Sequence, residues 1–201
     1  MFSINPENQT ERENYKLLIG SIVPRPIAFV TSEASDGTLN GAPFSYFNIV
    51  SSNPPMISIS VQRKNGQMKD TARNICEKQE FVVHIVDEDN VGKINETAAT
   101  LAANESEVER AKLTPVPSEI VQTPSIKEAK VRYECILEKV VELGNDEVST
   151  DLIIGRIVKI HIDSSVYDDG KIKYRTLNAV SRLAGNDYAK IGEIFTIERP
   201  K

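Results

Sequence analysis

The two histidines limit the chemistry that side chains of this chain can perform. His84 and His161 are the only imidazoles among 201 residues, which excludes a three-histidine metal site and an HExxH motif. His84 lies in the apolar run 81–86, where a hydrogen-bonded core histidine is commoner than an acid or base. His161 alternates with apolar residues, and we expect it to face solvent. We therefore predict no catalytic side chain and no metal site, and we expect a bound cofactor to carry any chemistry.

The basic segment 60–74 is a candidate binding site for an anion. It holds four basic residues and one aspartate, ahead of a predicted helix that runs to Lys78: Arg63, Lys64, Lys69, Arg73 and Asp70. The unpaired N–H groups of a first helical turn, with cationic side chains nearby, suit a phosphate. The alternative is a solvated turn and a helix that Asp70 or Thr71 caps. The pattern alone favours this alternative.

The segment 40–48 is a candidate site for a planar ring. Gly41 and Ser45 leave its backbone accessible, so its amides could hydrogen-bond a heterocycle. The alternative is a plain strand with aromatic core residues, which the pattern alone favours. Near the end of the sequence, Arg182 and Tyr188 could close over a pocket, although most such residues only pack or face solvent.

Composition excludes several classes of partner. With 24 Lys and Arg against 29 Asp and Glu, the formal charge is −5, which argues against a general nucleic-acid binder. We see no leader with a basic and an apolar region, and no run near the roughly 18 apolar residues that span a bilayer. Two distant cysteines without a CxxC pair predict no structural zinc. We expect a cytoplasmic protein without a membrane partner.

The elements that must position these residues are mostly strands. Alternation of apolar and polar residues, or a short apolar run, predicts the main strands, at 27–31, 56–61, 81–86, 130–143 and 151–163. Residues 39–49 form a further extended segment, and 9–19 form a short helix or turn. Residues 90–112 are helical in composition, with Asp87 or Asp89 as the cap. Gly144, Asn145 and Asp146 predict a turn.

This order of elements predicts one domain, residues 1–201, that is mainly β. Several short strands separated by turns, with two or three helices, are typical of a β-barrel or sandwich with flanking helices. A doubly wound parallel sheet fits less well, because the helices do not alternate regularly with the strands.

Several motifs, in this order, are typical of one family. They are PRPIAFVT at 24–31, NGAPFSYFN at 40–48, NPP at 53–55, KDTARN at 69–74, EFVVH at 80–84 and RLAG at 182–185 with Tyr188. The sequence resembles the flavin reductase-like, FMN-binding split-barrel family. The nearest branch includes the B component of nitrilotriacetate monooxygenase and the flavoredoxin-like proteins.

The resemblance implies a six-stranded split β-barrel, a homodimer and one FMN per subunit near the dimer interface. By position, it implies three groups of flavin-binding residues: Ser45, Tyr46, Phe47 and Asn48 along the isoalloxazine; Ser60, Gln62 and Arg63 along the ribityl chain and phosphate; and Lys69, Asp70 and Thr71 around the phosphate. Arg182 and Tyr188 would cover the flavin, from the same chain or from the partner subunit. The tail departs from the family's common Gly-Gly form at Ala184.

The function that the resemblance implies is hydride transfer from NADH or NADPH to FMN. Reduced FMN would then serve a partner oxygenase or stay bound. One alternative is a flavoredoxin-like electron carrier that binds FMN without nicotinamide turnover. Another is a barrel that has lost its cofactor and serves as an interaction module. No motif distinguishes NADH from NADPH.

Overall fold

The structure is a computed structural model that describes residues 1–99, 101–102, 104–145 and 148–200. Its helices are α1 (Glu11–Ser21), α2 (Asp70–Lys78), α3 (Val91–Glu96), α4 (Glu107–Arg110) and α5 (Tyr174–Leu177), with 3-10 turns at Pro6–Asn8 and Ser164–Val166. Its strands are β1 (Arg25–Pro26), β2 (Ala28–Glu33), β3 (Leu39–Phe44), β4 (Phe47–Ser52), β5 (Pro55–Gln62), β6 (Glu80–Ile85), β7 (Pro115–Val116), β8 (Ser125–Ile126), β9 (Val131–Gly144), β10 (Val148–Ile162), β11 (Tyr167–Asp168), β12 (Lys171–Ile172), β13 (Val180–Arg182) and β14 (Tyr188–Lys190). None of the helices in these ranges has the length and apolar character needed to cross a bilayer.

The main sheet rolls into a barrel with one open seam. Seven antiparallel strands follow the order β3-β2-β6-β9-β10-β5-β4, with β3 and β4 at opposite edges. Yet only Ser45 and Tyr46 separate the end of β3 from the start of β4. Three residue steps reach about 11 Å, whereas the outer strands of a flat sheet this wide would lie about 29 Å apart. The two edges must therefore face each other, and the predicted mainly β split barrel is confirmed.

The sheet has seven strands, whereas six were expected. The segment 39–49, predicted as one extended stretch, is two strands that pair with different neighbours: β3 with β2, and β4 with β5. The chain changes edge between them, and this change places Ser45 and Tyr46 at the seam.

Alternating residues of β5 fill the barrel interior. Ile57, Ile59 and Val61 are buried and alternate with half-buried serines, as the period-two pattern predicted. They pack in one core cluster with Phe81 of β6. Gly155 of β10 gives that ring its space, because a Cβ there would lie 2.3 Å from Phe81 Cζ. The serines of β5 therefore lie on the face of the strand that points away from this core.

The predicted helix at 90–112 is wrong in its extent. The structure has two short helices, α3 and α4, because Ser106 caps a new helix by accepting a hydrogen bond from the N–H of Glu109 at 3.3 Å. Asn90, not Asp87 or Asp89, precedes α3. Asp87 is instead buried and bonded to the Lys130 ammonium at 3.1 Å. Residues 100 and 103 of this region, and Asp146 of the predicted turn, lie outside the described residues.

The two histidines have different surroundings. His84 is fully buried between the carbonyl of Phe29 (3.0 Å from Nδ1) and the N–H of Ile126 (3.0 Å from Nε2), so the core interpretation fits the structure. The expectation that His161 faces solvent is wrong. It is half-buried, because its Nε2 lies 2.6 Å from the carboxylate of Glu134, which the barrel wall buries completely.

Helix α1 and the C-terminal region meet at one short sheet. The segment that the sequence left as helix or turn is α1, which begins with a capping box between Thr10 and Glu13. Just after it, β1 pairs with β13, which in turn pairs with β14. Arg25 of β1 lies opposite Arg182. The tail therefore lies beside the end of α1.

Candidate functional site

Three adjoining cavities follow the seam of the barrel. The seam cavity, about 450 Å³, is lined by Leu18, Ile22, Pro24, Arg25, Pro26, Ser45, Tyr46, Phe47, Asn48, Ser58 and Ser60. The middle cavity, about 160 Å³, is lined by Tyr15, Pro43, Phe44, Ser45, Tyr46, Ser60, Gln62 and Lys69. The helix cavity, about 540 Å³, is lined by residues that include Asn40, Phe44, Lys64, Lys69, Asp70, Thr71 and Glu107. Neighbouring cavities share lining residues, so the three form one trough.

The seam cavity has mainly apolar walls with a few polar side chains among them. Its floor includes Ser58 and Ser60, the small outward face of β5. Tyr46 and Phe47 come from the point where the chain crosses from β3 to β4. Burial raises the pKa of the Tyr46 phenol, while the nearby positive charge of Arg25 acts in the opposite direction. A flat aromatic ring suits such a slot.

The helix cavity ends at the start of α2. The helix begins at Asp70, and Lys69 is its N-cap residue, with no side-chain cap among the described residues. The predicted caps Asp70 and Thr71 are wrong, because both lie inside the first turn and their side chains bond elsewhere. Asp70 binds Arg73. This end of the trough therefore brings the N–H groups of the turn together with the ammonium groups of Lys64 and Lys69, which are groups that could bind an anion.

A buried network holds the first turn of α2 in place. Thr71 Oγ1 donates to Asn40 Oδ1 at 2.8 Å, and Asn40 Nδ2 donates to Glu107 Oε2 at 2.9 Å. The N–H of Gly41 also reaches that carboxylate, at 3.3 Å. Burial raises the pKa of Glu107 above its ordinary value, although these hydrogen bonds act to lower it. The hydroxyl proton of Thr71 is thus already donated to Asn40. The donor that Thr71 can still offer a ligand is its backbone N–H, in the first turn of α2.

Arg63 lies apart from the trough. Its guanidinium bonds to both oxygens of Asp151, with Nε at 3.0 Å and Nη2 at 2.7 Å, and to Glu142 at 2.7 Å. It lines none of the three cavities. Its assignment to the phosphate stays a prediction. In this structure Arg63 connects the residue directly after β5 to β9 and β10.

Arg182 and Tyr188 are also outside the trough of their own chain. The Arg182 guanidinium lies 4.5 Å from the Tyr188 ring centroid. The phenol of Tyr188 is 2.9 Å from the Asn95 side-chain oxygen. The other predicted flavin-binding residues all line the trough: Ser45, Tyr46, Phe47, Asn48, Ser60, Gln62, Lys69, Asp70 and Thr71.

Sequence reasoning missed the contribution of α1, β1 and α4. Tyr15 and Leu18 of α1, and Ile22 directly after it, line the trough; the sequence predicts only a helix or turn at 9–19. Arg25 lines the seam cavity and is buried; its two flanking prolines predict only an extended backbone. Glu107 follows a serine cap. No local pattern marks either as a site residue.

Comparisons with known proteins agree with this fold. A family model described as "Flavin reductase like domain" matches residues 19–178. The uncharacterised protein YwrF of Bacillus subtilis (strain 168) is 52% identical over 204 residues, which cover 100% of both chains. The crystal structure of nitrilotriacetate monooxygenase component B from Bacillus cereus superposes with a TM-score of 0.97 at 58% identity, over 98% of each chain. The 2-nitrobenzoate 2-nitroreductase of Pseudomonas fluorescens has a TM-score of 0.89 at 29% identity, over 99% of this chain and 96% of that one.

Proposed function

Because the chain belongs to the flavin reductase-like domain family, we propose that it binds FMN and transfers hydride to it from NADH or NADPH. The observation that carries the proposal is the order of the three cavities along the seam. An apolar slot, a narrow polar passage and a cationic helix start follow one another. FMN has the same order of parts: a flat ring, a hydroxylated chain and a phosphate.

Each part of the trough has its own task in this proposal. Tyr46, Phe47 and the backbone from Ser45 to Asn48 hold the ring. Ser60 and Gln62 hydrogen-bond the ribityl hydroxyls from the middle cavity. Lys69 and the N–H groups of the first turn of α2 hold the phosphate, where cationic groups and helix N-termini bind anions best.

Bound FMN supplies the redox chemistry, since its ring accepts a hydride. The protein has to align two rings, exclude water and balance charge. No acid or base is required for the transfer. This agrees with the seam cavity, where Arg25 is the one charged side chain among the described lining residues.

Support for a homodimer comes from apolar surface beside the seam. Ile49 and Val50 of the edge strand β4 are 76% and 49% exposed. An edge strand with exposed apolar residues tends to pair with a strand of another chain or to be buried in an interface. In a dimer, Arg182 and Tyr188 of one chain could cover the flavin of the other. The proposal includes a cytoplasmic, one-domain protein and a partner oxygenase that takes reduced FMN, as the name of the Bacillus cereus relative suggests.

The test begins with the purified protein, incubated with FMN, desalted and mixed anaerobically with NADH or NADPH. We expect bound FMN to bleach with at least one nucleotide. Where desalting removes FMN, steady-state oxidation of the nucleotide with excess FMN replaces the bleaching measurement, and titration calorimetry gives the affinity. Retained FMN that stays oxidised with both nucleotides would point to an electron carrier. Absence of FMN binding in calorimetry would reject the proposal.

A further inference from the structure

Arg25 is a buried cation without a carboxylate partner among the described residues. It is 6% exposed. Its Nη1 donates to the carbonyls of Ile19 and Ile22 at 2.8 and 2.5 Å, and its Nη2 donates to the carbonyl of Leu183 at 2.8 Å. Its Nε is buried and has no hydrogen-bond partner among those residues. The guanidinium is thus held by neutral groups only.

A buried charge of this kind is costly unless something compensates it. The carbonyl end of α1 supplies part of the compensation, because the C-terminus of a helix carries partial negative charge. The contrast with Arg63 is informative. That guanidinium lies outside the trough and is paired with Asp151 and Glu142. Arg25 lines the seam cavity instead, so a ligand there can supply the missing negative charge.

We propose that Arg25 is the charge partner of the reduced flavin ring, an inference that rests on the proposed function. Hydride transfer breaks the C–H bond at C4 of the nicotinamide and forms an N–H bond on the ring. Two electrons and one proton move together, the nicotinamide becomes a cation, and a neutral ring becomes an anion. Arg25 stabilises that anion without donating a proton. Three carbonyl contacts fix its position in advance, so little reorganisation accompanies the transfer.

The lining of the seam and middle cavities offers little competing charge, and Arg182, which lies opposite Arg25 on β13, places its guanidinium over the Tyr188 ring and outside the trough. Among the described lining residues, the other titratable group of the seam cavity is Tyr46, and the middle cavity adds Tyr15 and Lys69. Lys69 lies where the middle cavity meets the helix cavity, and the phosphate would neutralise it there. Arg25 is therefore the cation expected to distinguish the oxidised ring from the reduced one.

The test compares Arg25→Gln, Arg25→Lys and the control Arg132→Gln. Arg132 also has a buried Nε without a partner, has one weak contact to Ser125 at 3.4 Å, and lines none of the cavities. Each variant is measured for the dissociation constant of oxidised FMN and for the two-electron potential of bound FMN. Thermal unfolding of each apoprotein reports its stability separately.

We expect Arg25→Gln to weaken binding of reduced FMN about tenfold more than that of oxidised FMN, which lowers the potential by about 30 mV. Arg25→Lys should keep most of the wild-type potential, and Arg132→Gln should keep all of it. Equal loss of affinity for both redox forms would assign Arg25 a structural role and overturn the inference. A wild type that binds FMN in neither redox form would instead reject the proposed function, and the inference with it.

A measurement on the wild type covers the case in which Arg25→Gln does not fold. A ring that remains anionic takes up one proton per two electrons, so its potential falls by about 30 mV per pH unit. We expect this slope between pH 6 and 8. A slope of about 60 mV per pH unit, which means two protons, would overturn the inference.

Discussion

Among single side chains, Lys69 joins the middle cavity to the helix cavity, and it should bind the phosphate of FMN. Lys69→Ala should weaken FMN binding about tenfold, because a charge-assisted contact to phosphate is lost. Riboflavin, which lacks the phosphate, should bind both proteins equally. Titration calorimetry with the two ligands measures the difference.

The control for Lys69 is Lys78→Ala on the same helix. Lys78 lies at the C-terminal end of α2, 3.7 Å from Glu33, and is partly exposed. Its loss should leave FMN affinity unchanged. Equal loss of affinity in both variants would mean that general charge, rather than a phosphate site, governs binding.

The burial of His84 predicts a specific acid sensitivity. Burial lowers the pKa of His84 to about 3 from 6.5, although its bond to Phe29 acts in the opposite direction. The unfolded chain therefore binds a proton that the folded chain does not, and stability falls as the pH drops below 6.5. Between pH 7.5 and 5.5 the loss should be about 1.4 kcal/mol. Urea denaturation at the two pH values measures it.

In His84→Gln this loss should disappear, whatever the variant's absolute stability. Gln can still meet the carbonyl of Phe29 and the N–H of Ile126, but it does not titrate. An unchanged pH dependence in the variant would assign the sensitivity to another group.

The family resemblance, more than local patterns, pointed to the residues that line the trough. Local clusters of small, aromatic and basic residues marked the segments 40–48 and 60–74 as candidates, but the patterns alone favoured a plain strand and a solvated turn. The sequence could not distinguish the role of Arg25 from that of Arg63, because each role depends on contacts with residues that are far away along the chain. Arg25 meets carbonyls of α1 and the tail, whereas Arg63 meets carboxylates of β9 and β10. Local sequence carries no information on such contacts.

At the scale of secondary-structure elements, one carboxylate from the barrel wall holds the loop between β7 and β8 in place through hydrogen bonds. Glu134 of β9 accepts hydrogen bonds from the N–H groups of Glu119, Ile120 and Val121 at 2.8, 2.7 and 3.0 Å. Burial acts to raise its pKa, but these bonds and His161 outweigh burial and lower the pKa to about 2. The stabilisation is therefore full above the ordinary pKa of 4.5 and is lost as the pH falls toward 2.

Glu134→Gln should lower the free energy of unfolding by about 2–3 kcal/mol at pH 7. An amide has a single acceptor oxygen, and its NH₂ group would face backbone N–H donors. Glu138→Gln is the matched control on the same strand, where an exposed carboxylate lies 3.1 Å from Arg156. It should change stability by less than about 0.5 kcal/mol. Similar losses in both variants would contradict a special role for Glu134.

Strand positions were the best-predicted elements, because a buried face imposes a period of two. The pattern in β5 matches its buried side residue by residue. The failure lay where one extended pattern covers two strands. The backbone of residues 39–49 is extended on both sides of Ser45 and Tyr46. The pattern of apolar and polar residues therefore does not reveal that the chain passes there from one barrel edge to the other.

For the molecule as a whole, the apolar edge beside the seam predicts self-association. Ile49→Lys would place a charge on the exposed edge of β4, and we expect it to shift the protein from dimer to monomer in sedimentation velocity. FMN affinity should fall with dissociation if the partner chain covers the flavin. Ile120→Lys, a 58% exposed residue of the loop held by Glu134, should remain dimeric. A monomeric wild type would reject the dimer.

Closure of the barrel was beyond local sequence reasoning. The strand order, with β3 and β4 at opposite edges, arises from pairings between residues far apart, such as Ile59 with Ile153. Such pairings depend on the whole set of strands. The resemblance to a known family supplied the split barrel, and periodicity alone left a barrel and a sandwich open.

The pairing of β5 with β10 also affects how the protein is made. The ribosome completes β5 well before β10, which begins at Val148, and roughly 90 residues must still be synthesised, on the order of 5–20 s at usual elongation rates. During that interval one edge of β5 has no partner, and its Ile57, Ile59 and Val61 lack the wall that later buries them. A nascent chain in this state exposes an apolar strand to its neighbours. Slow translation between codons 63 and 147 would lengthen that exposure and lower the soluble yield.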